Sequence, residues 1–346
     1  MKSNKYEIDM CNGSIMDKLV SFALPLMLSG ILQLMFNAVD IIVVGRFSGS
    51  EALAAVGSTT ALINVFTNLF IGISLGANVL AARFFAAGRK EEMSETVHTS
   101  ITLALISGIL MAFVGLVFSK GALELMGTPE DVIGLSTLYM RIYFMGMPFF
   151  MLYNYGAAIL RAVGDTKRPL YFLIIAGVIN AGLNMVLVIV FGLGVAGVGI
   201  ATVFSQMVSC VLVLTCLCRT EGSYKLSFSK LSMKGYYLKQ IFQVGIPAGI
   251  QSTVINFSNA LLQSSVNSFG STAMAGYTAA NNILGFLYVS INSVTQACMS
   301  FTSQNYGAGK WKRMDKVLRN CILLSVVVSL ILGGGSYLFG PELLKI

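Results

Sequence analysis

One histidine, one tryptophan and fifteen acidic residues in 346 positions leave little material for hydrolytic or metal chemistry. A nucleophile needs an imidazole and an acid beside it. The single imidazole, His98, falls at the start of an apolar stretch, with no paired acid inside any such stretch. An intramembrane enzyme is therefore excluded, and no catalytic residues are assigned. The six cysteines, Cys11, Cys210, Cys216, Cys218, Cys298 and Cys321, sit mostly in apolar surroundings. Zinc would want Cys or His paired at turn spacing in a polar setting, and Cys216 and Cys218 point to different faces of a helix. They read as small core residues, and neither a metal site nor a cofactor is expected. Charge is scarce too, at 11% of residues, against about a quarter in soluble domains. No polar region is long enough to fold as a soluble domain.

What is abundant is apolar surface: 55% of the residues are hydrophobic and the mean hydropathy is +0.78. Apolar runs recur along the whole chain, at residues 19–45, 53–83, 97–118, 132–157, 169–191, 196–217, 240–265, 277–304 and 320–339. A bilayer core of about 30 Å needs about 20 helical residues, so these nine segments predict an all-α, multi-pass membrane protein with the lipid bilayer as its main partner. The first run is far longer than the apolar part of a signal peptide and lacks a cleavage pattern.

That first run carries one charge, Asp40. A carboxylate at a helix centre costs roughly 2.5 to 3.5 kcal/mol on insertion scales, so it belongs in a bundle interior or a wet cavity. None of the other fourteen acids lies inside an apolar run. Asp40 is accordingly a candidate proton or cation site. The alternative is an acid near a helix end that reaches interfacial water, since Arg46 is six residues on.

The net charge of +8 is not a nucleic-acid footprint. With the N-terminus inside, Lys2, Lys5, Lys18, Arg83, Arg89, Lys90, Arg161, Lys167, Arg168, Arg219 and the basic residues from Lys225 to Lys239 and Lys310 to Arg319 all fall on the cytoplasmic side. Only Arg46, Lys120 and Lys345 fall outside, and Arg141 lies within a span. This asymmetry orients a plasma-membrane protein with a cytoplasmic N-terminus.

Two ten-residue segments match. Residues 84–93, FFAAGRKEEM, follow the second run, and residues 305–314, NYGAGKWKRM, follow the eighth, 221 residues later. A similar offset pairs Pro25 with Pro247. Six spans fit in that offset, so both copies cross the membrane in the same direction and are related by a pseudo-twofold axis along the membrane normal. The expected organisation is a six-helix N-terminal lobe (1–218), a cytoplasmic linker (219–239) and an incomplete three-helix C-terminal lobe (240–346). Gly192, Gly194 and Gly197 have dinucleotide-site spacing but lie between two spans with no acid about 20 residues on, so they read as a tight turn. Gly72 and Gly76, and Gly245 and Gly249, have the spacing that lets helices approach closely. Pro25 and Pro247 each remove a backbone hydrogen bond and mark bends.

Polar residues within the spans converge in depth. Asn180 and Asn184 share one helix face. Asp40, Asn180, Asn184 and Thr202 all lie on the order of 8 to 18 Å from the outer ends of their helices. A carboxylate with amide and hydroxyl oxygens at one level suits a bound proton or Na⁺. Equally, Asn and Thr could hydrogen-bond neighbouring helices while Arg141 neutralises Asp40.

The stretch 159–171, ILRAVGDTKRPLY, followed by Asn180, Asn184, the FGLGVAG of 191–197, Ala201, Thr202 and Gln206, resembles the multidrug and toxic compound extrusion (MATE) family, and the likeness extends over the whole chain. The resemblance implies two six-helix lobes that expel organic, often cationic, compounds in exchange for H⁺ or Na⁺. It implies a coupling site at Asp40 with Asn180, Asn184 and Thr202, lobe-lining positions at Tyr139, Asn154, Gln33, Asn37 and Gln206, and a hinge at Pro25. It implies small organic cations or drugs as substrates and a protein that is monomeric when complete. Some relatives carry an acid where this chain has Asn184, and many Na⁺-coupled ones an acid in the seventh helix, where this chain has Gln251. Asp40 is left as the candidate coupling acid, which favours H⁺ over Na⁺. A flippase for lipid-linked precursors is the alternative in a related two-bundle family; it would line the cleft with several basic residues, and here Arg141 alone lies well inside a span. The second copy reaches only three helices by Ile346, so the expectation is a natural product that continues for about 100 residues, with 1–346 alone not transporting.

The charge pattern makes a topological prediction. In a cysteine-free background, a single Cys at Lys230 in the linker should resist an impermeant thiol reagent added to intact cells, and Cys residues in the 47–51 and 269–273 loops should react. Labelling at Lys230 from outside would reverse the orientation.

Overall fold

A computed structural model describes residues 6–267 and 271–343; Lys2, Lys5 and Lys345 and part of the 269–273 loop lie outside them. The described residues form ten α-helices and no strands: α1 Ile15–Phe47, α2 Gly49–Ala86, α3 Lys90–Leu125, α4 Glu130–Met145, α5 Met147–Ala162, α6 Lys167–Asn184, α7 Gly194–Arg219, α8 Gly235–Asn267, α9 Ser271–Gly307 and α10 Trp311–Leu343. Seven segments are long and apolar enough to cross a membrane singly, in α1, α2, α3, α6 with its continuation, α7, α9 and α10. The expected span 132–157 is two helices, α4 and α5, meeting at Gly146. Pro148 occupies the first turn of α5, and a Cβ at Gly146 would fall 2.8 Å from both Gln206 and Val203 of α7. The expected span 169–191 is also composite. Directly after Asn184 the helix widens into a π-helical stretch, Met185–Val190, a local irregularity often found at functional sites. The glycine turn that follows has φ of +64° at Gly192 and +53° at Gly194, conformations open to glycine.

The helices run past the expected spans mainly at the end where most basic residues cluster, here called the basic side. α8 starts at Gly235, inside the expected linker, and the preceding chain contains a short 3₁₀ turn, Phe228–Lys230. α1 continues unbroken through Pro25, whose carbonyl accepts the Ser29 hydroxyl at 2.8 Å.

The matched segments fold alike. The Arg89 N–H donates to the Phe84 carbonyl at 3.1 Å and the Lys310 N–H to the Asn305 carbonyl at 2.8 Å. Ala87 and Ala308 donate in the same way to Arg83 and Gln304. Gly88 and Gly309 take φ of +69° and +70° to close the two turns. A repeat seen as letters is thus a repeat of hydrogen bonds at one offset.

The copies pack crosswise, α8 against α2 and α1 against α9. Leu19 of α1 and Ile241 of α8, 222 residues apart, are both fully buried in these mirrored contacts. The α2–α8 contact runs through the paired glycines: Gly72 meets the backbone of Gly249, and Gly76 the backbone of Ile241 and Gly245. Small residues are what let two backbones come this close in a membrane, where apolar burial alone offers no gain over lipid. Between the lobes, Ser300 of α9 donates to Asn78 Oδ1 at 3.0 Å and Gln304 Nε2 to the Ala162 carbonyl at 2.7 Å, while within the first lobe Asn78 Nδ2 donates to the Ala158 carbonyl at 2.9 Å.

Gly249→Ala should test this seam. Its Cβ would sit 2.6 Å from the Leu69 carbonyl oxygen, an overpacking that costs about 1 to 3 kcal/mol. Gly57→Ala, where a Cβ meets nothing within 4 Å, is the control and should be neutral or stabilising in a detergent melting assay. Equal melting temperatures for the two variants would show that the seam tolerates separation.

Candidate functional site

Asp40 lies on the α1 face turned toward α6, and Gly177 permits the approach: a Cβ at that position would enter the Phe36 ring. One helical turn beyond Phe36, Asp40 is 9% exposed, and across from it Asn184 and Asn180 are 0% and 5% exposed. The Asn184 Nδ2 donates to Asp40 Oδ1 and is shared with Asn180 Oδ1 at 3.2 Å. Thr202 of α7 borders the same cavity, with its hydroxyl returned to the Val198 carbonyl at 3.0 Å. Asn184 Oδ1 and Gln206 Oε1 are buried without a hydrogen-bond partner among the described residues. A buried carboxylate with one amide donor, beside an unmatched amide oxygen, has room for a proton or a small cation.

The cavity has a volume of about 300 Å³, at the lower end of the range for small-molecule sites. The sequence-derived residues Gln33, Asn37, Asp40, Tyr139, Asn154, Asn180, Thr202 and Gln206 all line it, and Asn184 completes the hydrogen-bonded group behind Asp40. Gln33 and Asn37 are exposed, so the cavity opens past them. Pro25 is buried lower on α1 and is not part of the lining. Sequence reasoning missed Asn64 and Asn68 of α2, Tyr143 of α4 and Tyr153 of α5. Asn64 and Asn68 repeat the four-residue spacing of Asn180 and Asn184, the signal by which they could have been found. Tyr143 stands one turn from Tyr139, their ring centroids 6.2 Å apart.

Two earlier alternatives fall. Arg141 is exposed and makes no ion pair among the described residues, so it does not neutralise Asp40. Asp40 is held by Asn184 inside the bundle rather than turned to an interface near Arg46. His98 is a structural residue: Nδ1 donates to the Ser94 carbonyl at 2.6 Å and Nε2 accepts the Ser227 N–H at 3.1 Å. All six cysteines are free, and no cluster of metal-ligating side chains occurs among the described residues.

The cavity with its one acid lies within the first of two crosswise-packed helical repeats, lined by α1, α2, α4, α5, α6 and α7, and the chain's likeness to known proteins makes this membrane protein a transporter rather than an enzyme. The MatE family model matches residues 25–186 and 247–346, so its two blocks begin at Pro25 and Pro247. The chain belongs to the MATE family of transporters. It is 33% identical over 334 residues to the probable multidrug resistance protein YoeA of Bacillus subtilis, covering 94% of this chain and 72% of that protein. It is 24% identical to an FAD transporter of Shewanella oneidensis, covering 87% and 67%, and 20% identical to the multidrug export protein MepA of Staphylococcus aureus, covering 90% and 68%. Among solved structures, a MATE family transporter in an outward-facing conformation superposes with a TM-score of 0.92 at 24% identity over 99% of this chain and 76% of that one. A MATE structure in a bent conformation gives 0.89, over 96% and 75%.

The approach of α1 to α6 makes its own prediction. Gly177→Ala should lower the melting temperature, because the added methyl displaces Phe36 and with it the Asp40–Asn184 hydrogen bond. Gly182→Ala, where a Cβ meets nothing within 4 Å, should not. The difference expected is that of an overpacked core site, about 1 to 3 kcal/mol; identical melting curves would detach Phe36 from the site.

Proposed function

We propose that this transporter is a secondary antiporter of the plasma membrane, with its N-terminus and basic side cytoplasmic, that exports organic cations or drugs in exchange for H⁺, with Asp40 as the coupling carboxylate and Na⁺ as the alternative ion. The observation that carries the reading is the buried Asp40 at a cavity whose lining includes no other acid and no base. That electrostatic balance favours a cation over an anionic dinucleotide or a lipid-linked phosphate, and so favours export of cations over a flippase. Asn184 supports the proton: an amide presents N–H₂ to a carboxylate or, turned over, its oxygen to a carboxylic acid. One side chain can therefore satisfy Asp40 in both states without itself changing charge. An incoming cation competes with the proton for one negative charge, and that competition is the exchange.

With one H⁺ entering for each monovalent cation leaving, no net charge crosses the membrane, so the drive is the pH difference, about 1.4 kcal/mol or a tenfold substrate gradient per pH unit. The apolar side chains in the lining, Phe36, Ile71, Phe150 and Leu173, give flat organic substrates broad surfaces to rest against. Pro25 would serve as the hinge of α1.

The test is efflux in vesicles under an imposed ΔpH or an imposed Na⁺ gradient. Asp40→Asn should abolish coupled export by at least about 100-fold while the protein inserts and elutes as a folded species, because the amide cannot exchange a proton. Wild-type efflux by this variant would overturn the role of Asp40, and efflux driven by Na⁺ but not by ΔpH would overturn the choice of ion.

A further inference from the structure

The segment before α1 is anchored to both lobes. On the first lobe, Gly164 has φ of +96°, and a Cβ there would lie 2.5 Å from the Ile8 carbonyl oxygen, so the segment passes where only glycine leaves room. The Ile8 N–H donates to the Gly164 carbonyl at 3.4 Å, the Tyr224 hydroxyl to Glu7 Oε1 at 2.6 Å, and the Arg168 guanidinium lies 5.4 Å from the centre of the Tyr6 ring. Arg168 is itself fixed by an ion pair with the fully buried Asp165. On the second lobe, the grip is on backbone carbonyls. Lys310 Nζ donates to Cys11 O at 3.0 Å and Asn12 Oδ1 at 2.7 Å. Arg313 Nη2 donates to Gly13 O at 2.9 Å and Asn12 O at 3.1 Å, and Asn305 Nδ2 to Met10 O at 3.2 Å. Met10 is fully buried among Phe22 of α1, Phe301 of α9 and Val317 of α10.

The shape that offers those carbonyls is built locally. The Asp9 carboxylate accepts the Cys11 N–H at 2.9 Å and the Asn12 side-chain amide at 2.9 Å, Lys18 Nζ donates to Asp9 O at 2.6 Å, and Gly13 turns at φ of +70°. Asp9 is thus occupied within its own turn, and the charges of Lys310 and Arg313 are spent on carbonyls. The segment before α8 is the pseudo-twofold counterpart: Ser227 donates to His98, and Lys234 Nζ lies 2.8 Å from Glu95 Oε1, both on α3 of the first lobe.

We propose that residues 6–14 are a strap that locks the two lobes together at the basic side, with Lys310 and Arg313 as its catch, and that the cleft opens on that side only when the catch lets go. The proposal rests on the reading of the protein as an alternating-access transporter, but its test needs no transport. Ser300, 2% exposed beside Asn78 between the lobes, is the reporter: Ser300→Cys in the full chain, all native cysteines replaced, probed with a small impermeant maleimide in inside-out vesicles and in intact cells. With the catch intact the thiol should be protected. Lys310→Ala with Arg313→Ala should raise its labelling rate about five-fold or more, from the side on which the strap lies, and Lys310→Arg with Arg313→Lys should restore protection. In a second arm that keeps the catch, Met10→Cys and Asn305→Cys are oxidised to a disulfide by copper phenanthroline; labelling should fall to background and return with reductant. An unchanged rate in the double alanine variant, or labelling indifferent to the disulfide, overturns the strap. Labelling that responds as stated leaves the strap standing whatever the efflux assay gives, so the strap and the transport reading fail separately.

Discussion

A carboxyl group enclosed by apolar helices has no water to solvate it, so its hydrogen bonds must come from neighbouring helices, and this requirement organises the first lobe. Asp40 on α1 is answered by Asn184 and Asn180 on α6. For that, α1 and α6 must come closer than ordinary side chains allow, and Gly177 against Phe36 supplies the clearance. The helix that carries the two amides loses regular geometry right after Asn184, in the π-helical Met185–Val190 stretch, and the freed backbone is reabsorbed by the glycine turn that leads into α7 and Thr202. Closing a hydrogen-bonded group inside hydrocarbon thus dictates a glycine, a helix irregularity and a turn, each on a different segment.

Much of this was legible because membrane helices obey few rules. Length and hydropathy gave seven of the nine expected crossings, all but 132–157 and 240–265, and a lone acid in an apolar run gave Asp40, since the cost of burying it leaves few neutral explanations. Asn180 and Asn184 followed from helical periodicity. The same rule applied to α2 leads to Asn64 and Asn68. The break at Gly146 has a local signal too, Pro148, which fits the first turn of α5 but not the interior of a continuous helix. Other features were beyond local reading. Arg141 sits within an apolar run as Asp40 does, and only the packing reveals that it faces outward while Asp40 faces in. The contacts of Lys310 with Cys11 join positions 299 apart, which no spacing rule links.

The two copies share a plan without sharing chemistry. Their turns close with the same hydrogen bonds at Gly88 and Gly309, and their first helices cross to the other lobe through Leu19 and Ile241. Yet α2 and α8 meet through four glycines, whereas α1 and α9 meet through side chains such as Phe22 and Phe301, with ring centroids 5.6 Å apart. Interlocked backbones have little freedom to slide, while a side-chain contact can repack. The acid is on α1, and α8, its counterpart, has Gln251 and no carboxylate.

α1 joins the two ends of the device. From Ile15 to Asp40 is 25 residues of continuous helix, about 38 Å, so the element that presents the carboxylate to the cavity begins where the strap ends. Between them stands Pro25, which lacks the N–H that would brace the preceding turn and whose carbonyl is claimed by Ser29. A helix tethered at its base, loaded at its far end and weakened between has two ways to respond to a change at Asp40: it bends at Pro25, or it pulls on residues 6–14. Linkage then runs in both directions. If protonation of Asp40 favours one posture of α1, a strap that favours the other must make the proton harder to bind, and release of the catch must make it easier by the same factor. With Asp40 as the proposed coupling carboxylate, the acid and the catch at the basic side become the two ends of one equilibrium, carried by a single helix.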